Sequence, residues 1–368
     1  MKVLSLFDGM ACGMLAMKSA GIEIEKYTAF EIDKYATETA CHNFPIIEER
    51  GDVFAADFTE FEGVDFLVGG SPCTYWSIAQ TKNRETVASG MGWELFRQYV
   101  RALREAYPRY FLYENNKSMS DSIRQNITET FGFEPICINS ALVSAQNRQR
   151  LYWCGIRQAD GSYKRAEIEQ PTDRGILLKD ILETGVAWQD KAFAYTTRCA
   201  GAIIKDTLER RRHTMVAEPV NVAKDGKART LRDSYYKDGI RNLIANNIDK
   251  KTCVALPVED NKNKTETVYE VKNGFITVKG KDYPIKLADG FYIIRKLTVT
   301  ECKRLQTVPE WYDFPVSNSQ AYKMLGNGWT VEVIAHLIRG LLEGRIGKNL
   351  VIDKDGHEQY CFDFEATE

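Results

Sequence analysis

The chain has 368 residues, of which 44% are hydrophobic and 27% are charged, and its formal net charge is −2. This balance is typical of a globular protein with a sizeable core, and it argues against a chain that coats nucleic acid over its whole surface. The length favours one large domain and a second, smaller one.

The sequence also limits the compartment and the metal chemistry. No apolar stretch approaches the roughly 20 residues of a membrane-spanning helix, and Asp8 interrupts the first apolar run too early for a signal peptide. The nine cysteines are scattered without a Cys-X-X-Cys pair, and the four histidines show no metal-ligand spacing. We therefore expect an intracellular protein with reduced thiols and no metal.

Strands and helices alternate through the first half of the chain. Apolar runs predict strands at 3–7, 27–31, 64–68, 109–114 and 150–156. Helical patterns follow at 14–20, 33–43 and 95–106. Such alternation is typical of βαβ units, so we predict an α/β fold with a mostly parallel sheet.

The second half has a different character. A polar, loop-rich stretch begins near residue 158, and short β-like runs continue to about residue 290. Asn273-Gly274 lies between two β-branched runs and predicts a hairpin. Apolar residues recur at helical spacing after residue 320. We predict a first domain at 1–189 that is completed by a helix at about 320–345, a β-rich domain at 190–300, and a return segment and tail at 301–368.

Four segments that contain glycine-rich turns, a cysteine or a glutamate follow predicted strands. They are "FDGMACG" at 7–13, Glu31, "GGSPC" at 69–73, and Glu114 in "LYENN". Ligands bind at the carboxyl ends of parallel strands, where glycine-rich turns admit a polar ligand and a carboxylate binds ribose hydroxyls. The sequence therefore predicts a nucleoside site, a thiol and a carboxyl group at one edge of one sheet.

A cysteine and a glutamate at one site indicate a specific chemistry. A thiolate adds to an electron-poor carbon, and a nearby carboxyl group stabilises the ring under attack. Cytosine fits, because attack at C6 makes C5 nucleophilic, and S-adenosylmethionine is a nucleoside-bearing methyl donor that suits the ribose site.

At this point the sequence resembles the DNA (cytosine-5) methyltransferase family. The motifs occur in the family's order: "LFDGMACG", "EIDKYA", "GDV", "GGSPC", "LYENN", "AQNRQRLYW", "RKLTVTECKRLQ" and "MLGNGWTVEVI". The first block is similar to the animal de novo enzymes, and the tail is similar to bacterial and phage enzymes, either orphan methylases or partners of a restriction enzyme. Ala11 replaces the second glycine of the usual cofactor loop.

The resemblance implies a fold and a mechanism. The fold would be a Rossmann-like S-adenosylmethionine-dependent methyltransferase sheet with one late antiparallel strand, onto which the C-terminal helix returns. The domain at 190–300 would be a target recognition domain, and the cleft would take double-stranded DNA with the target cytosine flipped out. A monomer on DNA is the starting assumption.

The resemblance also implies roles for individual residues. Cys73 would be the nucleophile, Glu114 would bind the N3 edge of cytosine, and Arg148 and Arg150 would contact the base or hold Glu114. Cofactor-binding residues would be Phe7, Asp8, Gly9, Met10, Ala11, Glu31, Ile32, Asp52, Val53, Pro72, Asn327, Gly328 and Trp329.

Two basic stretches are candidates for contact with DNA. Lys82 and Arg84 lie in a polar loop after Cys73 whose composition predicts a mobile lid. Residues 205–251 hold twelve Lys and Arg against seven Asp and Glu, which suits a cleft facing phosphates. In that stretch, Arg229, Arg232 and Lys237 are the candidates.

Three other functions stay open at this level. An RNA (tRNA) cytosine-5 methyltransferase shares these motifs, although the long segment between Arg150 and Arg295 favours DNA. A catalytically silent DNA-binding paralogue is disfavoured because Cys73 and Glu114 are both present. A nucleotide-dependent oxidoreductase is disfavoured because no resolving cysteine accompanies Cys73.

Overall fold

The structure is a computed structural model, which describes residues 1–78, 84–220, 253–254, 267–346, 350–352 and 358–360. The strands of the first 200 residues are β1 (Lys2–Leu6), β2 (Lys26–Phe30), β3 (Ile47–Glu49), β4 (Phe66–Gly69), β5 (Tyr110–Asn116), β6 (Ile136–Asn139), β7 (Gln146–Asn147), β8 (Gln149–Arg157), β9 (Tyr163–Arg165) and β10 (Ala192–Phe193).

The later strands are β11 (Met215–Val220), β12 (Cys253–Val254), β13 (Thr267–Lys272), β14 (Phe275–Val278), β15 (Lys281–Pro284), β16 (Gly290–Lys296), β17 (Leu350–Ile352) and β18 (Glu358–Tyr360). The α-helices are α1 (Cys12–Ser19), α2 (Lys34–Asn43), α3 (Met91–Ala106), α4 (Asp121–Phe131), α5 (Ile204–Leu208), α6 (Val299–Leu305), α7 (Asn318–Asn327) and α8 (Val331–Glu343).

A large sheet carries the first half of the chain, in the order β3–β2–β1–β4–β5–β8–β6, with β9 beside β8. Strands β1 to β5 pair in parallel, and β8 runs antiparallel between β5 and β6. The α/β fold class and the late antiparallel strand are therefore as predicted.

Helices cover both faces of this sheet, which is why its strands are continuous apolar runs. Along β4, Phe66 and Val68 belong to the core on one face and Leu67 to the core on the other. Helices α1 and α8 cover the first face, and α3 and α4 cover the second. The C-terminal helix α8 packs on α1, where Arg339 donates to the Ser19 carbonyl at 3.1 Å.

The second sheet is antiparallel, in the order β11–β16–β13–β14–β15, with β12 beside β13. The predicted hairpin is present, because Asn273 (φ 51°) and Gly274 (φ 74°) join β13 to β14 in the left-handed region that a tight primed turn requires. The core of the second sheet includes Ala217, Ile276 and Tyr292. The division of the chain into domains nevertheless stays a prediction.

A buried ion-pair network joins the second sheet to the return segment. Arg295 of β16 donates to both oxygens of Glu301 in α6 at 2.8 Å, and its Nε donates to Glu218 of β11 at 2.7 Å. Glu301 is fully buried and also closes a capping box with Thr298. This network holds the second sheet against the helix that leads back to the large sheet.

Four strands and one α-helix of the first half were not predicted. They are β3, β6, the short strands β7 and β9, and helix α4. Strand β3 spans three residues, which is too short for an alternation pattern to be recognised.

In the described parts of the chain, none of the helices combines the length and the apolar composition of a membrane-spanning segment.

Candidate active site

The carboxyl ends of five parallel strands bring the predicted segments to one edge of the large sheet. The β1–α1 loop follows Leu6, Glu31 follows β2, the "GGSPC" turn follows β4, and Glu114 lies near the end of β5. Asp52 lies three residues after β3. Residues far apart in sequence therefore share an edge because the strands are parallel.

The β1–α1 loop holds an unusual backbone. Phe7, Gly9 and Ala11 all have positive φ values, of 57°, 60° and 59°. Ala11 therefore adopts at the start of α1 a conformation that costs a residue with a Cβ about 1–2 kcal/mol. The turn is held by its own backbone, since Ala11 N donates to Asp8 O at 3.2 Å, and by Tyr312, whose hydroxyl donates to Met10 O at 2.7 Å.

Glu31 fixes this loop to the end of β2. Its Oε2 accepts from Gly9 N at 2.9 Å, and its Oε1 accepts from Ile32 N and Asp33 N, each at 2.8 Å. Each carboxylate oxygen can accept more than one hydrogen bond. The carboxylate therefore shapes the loop and keeps acceptor capacity for a ligand hydroxyl.

Asp8 is a buried carboxyl group under the same loop. Its Oδ1 accepts from Ser5 Oγ at 2.5 Å and from Tyr27 Oη at 2.6 Å. Its Oδ2 is buried without a hydrogen-bond partner, and the residue is 8% exposed. Burial raises the pKa of Asp8 to about 6, against the lowering effect of the Ser5 and Tyr27 hydrogen bonds.

Glu49, at the end of β3, is a further carboxyl group close to Asp8 and Glu31, and it was not predicted. Both of its side-chain oxygens are buried without a hydrogen-bond partner. Burial, together with the charges of Asp8 and Glu31, raises the pKa of Glu49 from 4.5 to about 8. The signal in the sequence is weak, because Glu48, Glu49 and Arg50 resemble an ordinary charged surface run.

The raised pKa of Glu49 predicts a pH-dependent stability. The folded protein keeps a proton on Glu49 that the unfolded chain loses above about pH 4.5, so stability should fall as pH rises from about 4.5 to about 8. We expect Glu49→Gln to remove this loss, giving a higher melting temperature than the wild type at pH 8 and a smaller difference at pH 5. The control is Glu48→Gln, which removes exposed ion pairs to Lys26 and Arg50. A Glu49→Gln difference that is the same at both pH values would contradict the assignment.

Ile32, Asp52 and Val53 follow the strand ends beside this loop. Ile32 is 78% exposed, which is unusual for an isoleucine directly after a core strand. The Asp52 Oδ1 accepts from Phe54 N at 3.0 Å, and the side chain is exposed. Val53 is buried in the core, so only its backbone faces this edge in the short 3-10 helix Val53–Ala55.

The turn after β4 packs directly on the end of β5. Asn115 is fully buried, and its Nδ2 donates to Ser71 O at 3.1 Å. Ser71 Oγ and Tyr113 Oη lie 2.6 Å apart. Gly70 leaves no room for a side chain, since a Cβ would lie 2.9 Å from Glu114 Oε2. Gly70 is therefore needed for the close approach of this turn to Glu114.

The backbone of Cys73 begins the short 3-10 helix Cys73–Tyr75, directly after Pro72. Its side chain lies outside the described part of the chain. Cys73 is three residues beyond Gly70, whose backbone lies against Glu114.

Glu114 itself is held at both oxygens. Arg150 Nε forms an ion pair with Oε1 at 3.0 Å, and Trp329 Nε1 donates a hydrogen bond to Oε2 at 3.0 Å. Both members of the ion pair are mostly buried, with side-chain exposures of 16% for Arg150 and 12% for Glu114. Of the two roles predicted for Arg150, holding Glu114 is the one that this geometry supports.

Arg148 has a different set of contacts. Its guanidinium donates to Tyr195 O at 2.5 Å, to Gly328 O at 2.9 Å and to Gly326 O at 3.3 Å, and the residue is 4% exposed. The predicted role in contacting the base does not fit a guanidinium that is buried among backbone carbonyls. Its contacts instead tie the "GNGW" segment to the chain near Tyr195.

The "GNGW" segment lies against the β1–α1 loop, as expected for a part of the same site. A Cβ on Gly328 would lie 3.1 Å from Cys12 Sγ and 3.7 Å from Met10 Sδ. Asn327 ends helix α7 and is exposed. Burial raises the pKa of Cys12 to about 12, so this thiol is an inert packing group.

The polar segment after Cys73 is anchored where the structure describes it. Trp76 is fully buried, and its Nε1 donates to Glu85 Oε2 at 3.0 Å. Arg84 donates to the carbonyls of Trp76 at 3.1 Å and Ser118 at 2.7 Å, so its guanidinium braces the loop. The other candidate contacts to DNA, Lys82, Arg229, Arg232 and Lys237, lie outside the described residues.

Comparisons with known proteins agree with this geometry. The sequence profile of the family described as C-5 cytosine-specific DNA methylase matches residues 1–343. The chain is 27% identical to the orphan methyltransferase M.SPRI of Bacillus phage SPR, over 95% of this chain and 99% of that protein. It is also 27% identical to the type II methyltransferase M1.ScrFI of Lactococcus lactis subsp. cremoris, over 93% of this chain and 78% of that protein.

A solved structure supports the fold. The S. pombe Dnmt2 methyltransferase superposes with a TM-score of 0.53 at 14% identity, covering 93% of this chain and 98% of that one. In the described part of the chain, no three His, Cys, Asp or Glu residues are grouped so as to hold a metal ion. The profile covers nearly the whole chain and the sheet edge carries the matching residues, so this chain belongs to the C-5 cytosine-specific DNA methylase family.

Proposed function

We propose that the enzyme methylates C5 of a flipped-out cytosine in duplex DNA through a covalent bond between Cys73 and C6 of the base. The observation that carries this proposal is the contact between two strand ends. The turn that leads to Cys73 packs on Glu114, whose carboxylate is fixed by Arg150 and Trp329. A preorganised carboxyl group beside a cysteine turn is what addition of a thiolate to a pyrimidine needs.

S-adenosylmethionine is the proposed cofactor, and the residues at the sheet edge fit it. Ile32 offers an exposed apolar surface for the adenine, Glu31 offers acceptor capacity for ribose hydroxyls, and Asp52 offers a carboxylate for the adenine amino group. The buried Oδ2 of Asp8 is a carboxylate oxygen without a partner, which suits a cationic methionine end. When bound, this cofactor supplies an electrophilic methyl group.

The protein's own residues would then act on the cytosine. Cys73 forms the bond to C6, and Glu114 binds the N3 edge and stabilises the negative charge that the addition places on the ring, which leaves C5 as an enamine-like nucleophile. After methyl transfer, the C5 proton passes to a water molecule as the Cys73–C6 bond breaks, which restores the aromatic ring and frees the thiolate. Arg150 holds the Glu114 carboxylate throughout, because a charged, mostly buried pair keeps its geometry.

Removing the charge of Glu31 should weaken cofactor binding. We expect Glu31→Gln to lower the affinity for S-adenosylmethionine by about 1–3 kcal/mol, the scale of a lost hydrogen bond to a charged group. The glutamine NH₂ would also face the N–H group of Gly9 or Ile32, from which it cannot accept a hydrogen bond, so the β1–α1 loop should be held less firmly. Calorimetric titration measures the change, with the exposed Glu25→Gln as control. Unchanged affinity in Glu31→Gln would remove this residue from the cofactor site.

An RNA substrate is the alternative that must be tested against DNA. The superposition with Dnmt2 is evidence for the fold alone and does not choose between the two substrates. The test is methyl transfer from labelled S-adenosylmethionine to unmethylated duplex DNA and, in parallel, to unmodified tRNA. Labelled DNA with unlabelled tRNA supports the proposal, and the reverse overturns it. Bisulfite sequencing of DNA from cells that express the protein then gives the recognition sequence.

The division into catalytic and target recognition domains, with a basic cleft facing DNA, is part of the same proposal. The second sheet is joined to the return helix by Arg295, Glu218 and Glu301, so it is anchored beside the large sheet. A single chain would act on one DNA site. Because the relatives M.SPRI and M1.ScrFI are phage and bacterial proteins, we propose that the protein acts on DNA in the bacterial cytoplasm.

A further inference from the structure

The Trp329 side chain links two parts of the site that sequence motifs treat separately. Its Nε1 donates to Glu114 Oε2 at 3.0 Å. The preceding residue, Gly328, packs against the start of α1 and the β1–α1 loop, since a Cβ there would lie 3.1 Å from Cys12 Sγ and 3.7 Å from Met10 Sδ. The Trp329 side chain therefore contacts the carboxylate of the base site, and the backbone that carries it lies on the β1–α1 loop of the cofactor site.

The rest of the "GNGW" segment is held by close contacts, so a movement of the β1–α1 loop would be passed on to Trp329. Gly328 fits closely between Met324 O and Cys12 Sγ, each 3.1 Å from where a Cβ would lie. The Gly328 carbonyl accepts from Arg148 at 2.9 Å. On the other side of Trp329, Thr330 is buried and its hydroxyl donates to Gln306 Oε1 at 2.9 Å. A shift of the β1–α1 loop would therefore displace the Trp329 indole rather than be absorbed by a loose segment.

The chemistry of the contact makes it more than packing. An indole N–H can only donate, and the Arg150 guanidinium can only donate. The indole N–H donates to one oxygen of Glu114 and the guanidinium pairs with the other, so the two contacts together restrict how the carboxylate can move.

We propose that Trp329 is a positioning residue that couples the cofactor site to the cytosine site through its hydrogen bond to Glu114. This inference rests on the proposed function. By linkage, a cofactor that orders the β1–α1 loop strengthens binding of the target cytosine, and DNA carrying the target strengthens cofactor binding by the same factor. Loss of the indole N–H uncouples the two sites while leaving each of them formed.

The test compares Trp329→Phe, which keeps an aromatic ring and loses the donor, with the wild type. The matched control is Trp311→Phe, since Trp311 is 56% exposed and packs on Phe44 and Tyr312. Affinity for S-adenosylhomocysteine is measured by calorimetry alone and with a short duplex carrying the recognition sequence, and steady-state kcat and KM are measured at saturating DNA.

We expect Trp329→Phe to keep its affinity for S-adenosylhomocysteine alone within about twofold, because Gly328 still packs against Cys12. The enhancement of that affinity by DNA should fall about tenfold or more, and kcat should fall by a similar factor, the scale of a lost hydrogen bond to a charged group. Trp311→Phe should match the wild type in every measurement.

Two results would overturn the proposal. Wild-type kcat and wild-type coupling in Trp329→Phe would show that the indole N–H does not matter. A loss of affinity for S-adenosylhomocysteine alone that accounts for the whole loss of activity would make Trp329 only a wall of the cofactor site. Failure of the proposed function is a separate outcome, because the wild type would then not methylate DNA in the same assay.

Discussion

Replacement of Cys73 by serine is expected to lower turnover by several orders of magnitude while DNA and cofactor binding persist. The serine hydroxyl has nearly the same shape, but near neutral pH it is almost never ionised without an adjacent base, so it is a far weaker nucleophile. The turn should survive, because its closest contacts are made by Gly70 and Ser71 with Glu114 and Asn115. Steady-state methyl transfer to duplex DNA measures the loss.

The covalent step can be tested independently of turnover. Wild-type enzyme should form a denaturant-resistant adduct with DNA that carries 5-fluorocytosine, because fluorine at C5 cannot leave as a proton and the Cys73–C6 bond stays closed. Cys73→Ser should form none. The control is Cys137→Ser, an exposed cysteine on β6, which should keep both activity and adduct. Robust methylation by Cys73→Ser, or an adduct mapped by mass spectrometry to another cysteine, would refute the mechanism.

Replacement of Glu114 by glutamine is expected to have the next largest effect. General acid–base groups contribute about 10²–10⁴-fold to rate, and the amide can neither exchange a proton with the base nor satisfy both of its present donors. Arg150 pairs with one oxygen and Trp329 donates to the other, so the amide NH₂ must face either a cation or an N–H donor. We expect kcat on DNA to fall by about two to four orders of magnitude, on that same scale, with the cofactor affinity little changed.

A second glutamate–arginine pair provides the control for this substitution. Glu134, which follows α4, pairs with Arg124 of that helix at 3.2 Å. Glu134→Gln removes a comparable ion pair outside the site and should leave kcat at the wild-type level. Near-wild-type turnover in Glu114→Gln would mean that another group activates the cytosine.

Features that depend on neighbouring residues could be predicted from the sequence. Alternating apolar runs and helical patterns predicted the α/β sheet, and parallel strands place Glu31, "GGSPC" and Glu114 at one edge whatever the details of packing. The Asn273-Gly274 turn is local in the same sense, since two positive φ values are a property of two residues. Motif order then indicated the family, which the profile over residues 1–343 confirmed.

The contacts by which those segments hold one another depend on the folded arrangement of distant residues. Glu114 and Trp329 are 215 positions apart, and Arg148 reaches Tyr195 and Gly328 across 47 and 180 positions. Glu49 acquires its raised pKa from burial beside Asp8 and Glu31, whereas its sequence neighbours suggest an exposed charged run. A sequence pattern records which residues prefer a strand, a turn or the core. A side-chain hydrogen bond and a desolvated charge depend on which distant atoms fill the space around them, and that is known only when the chain is folded.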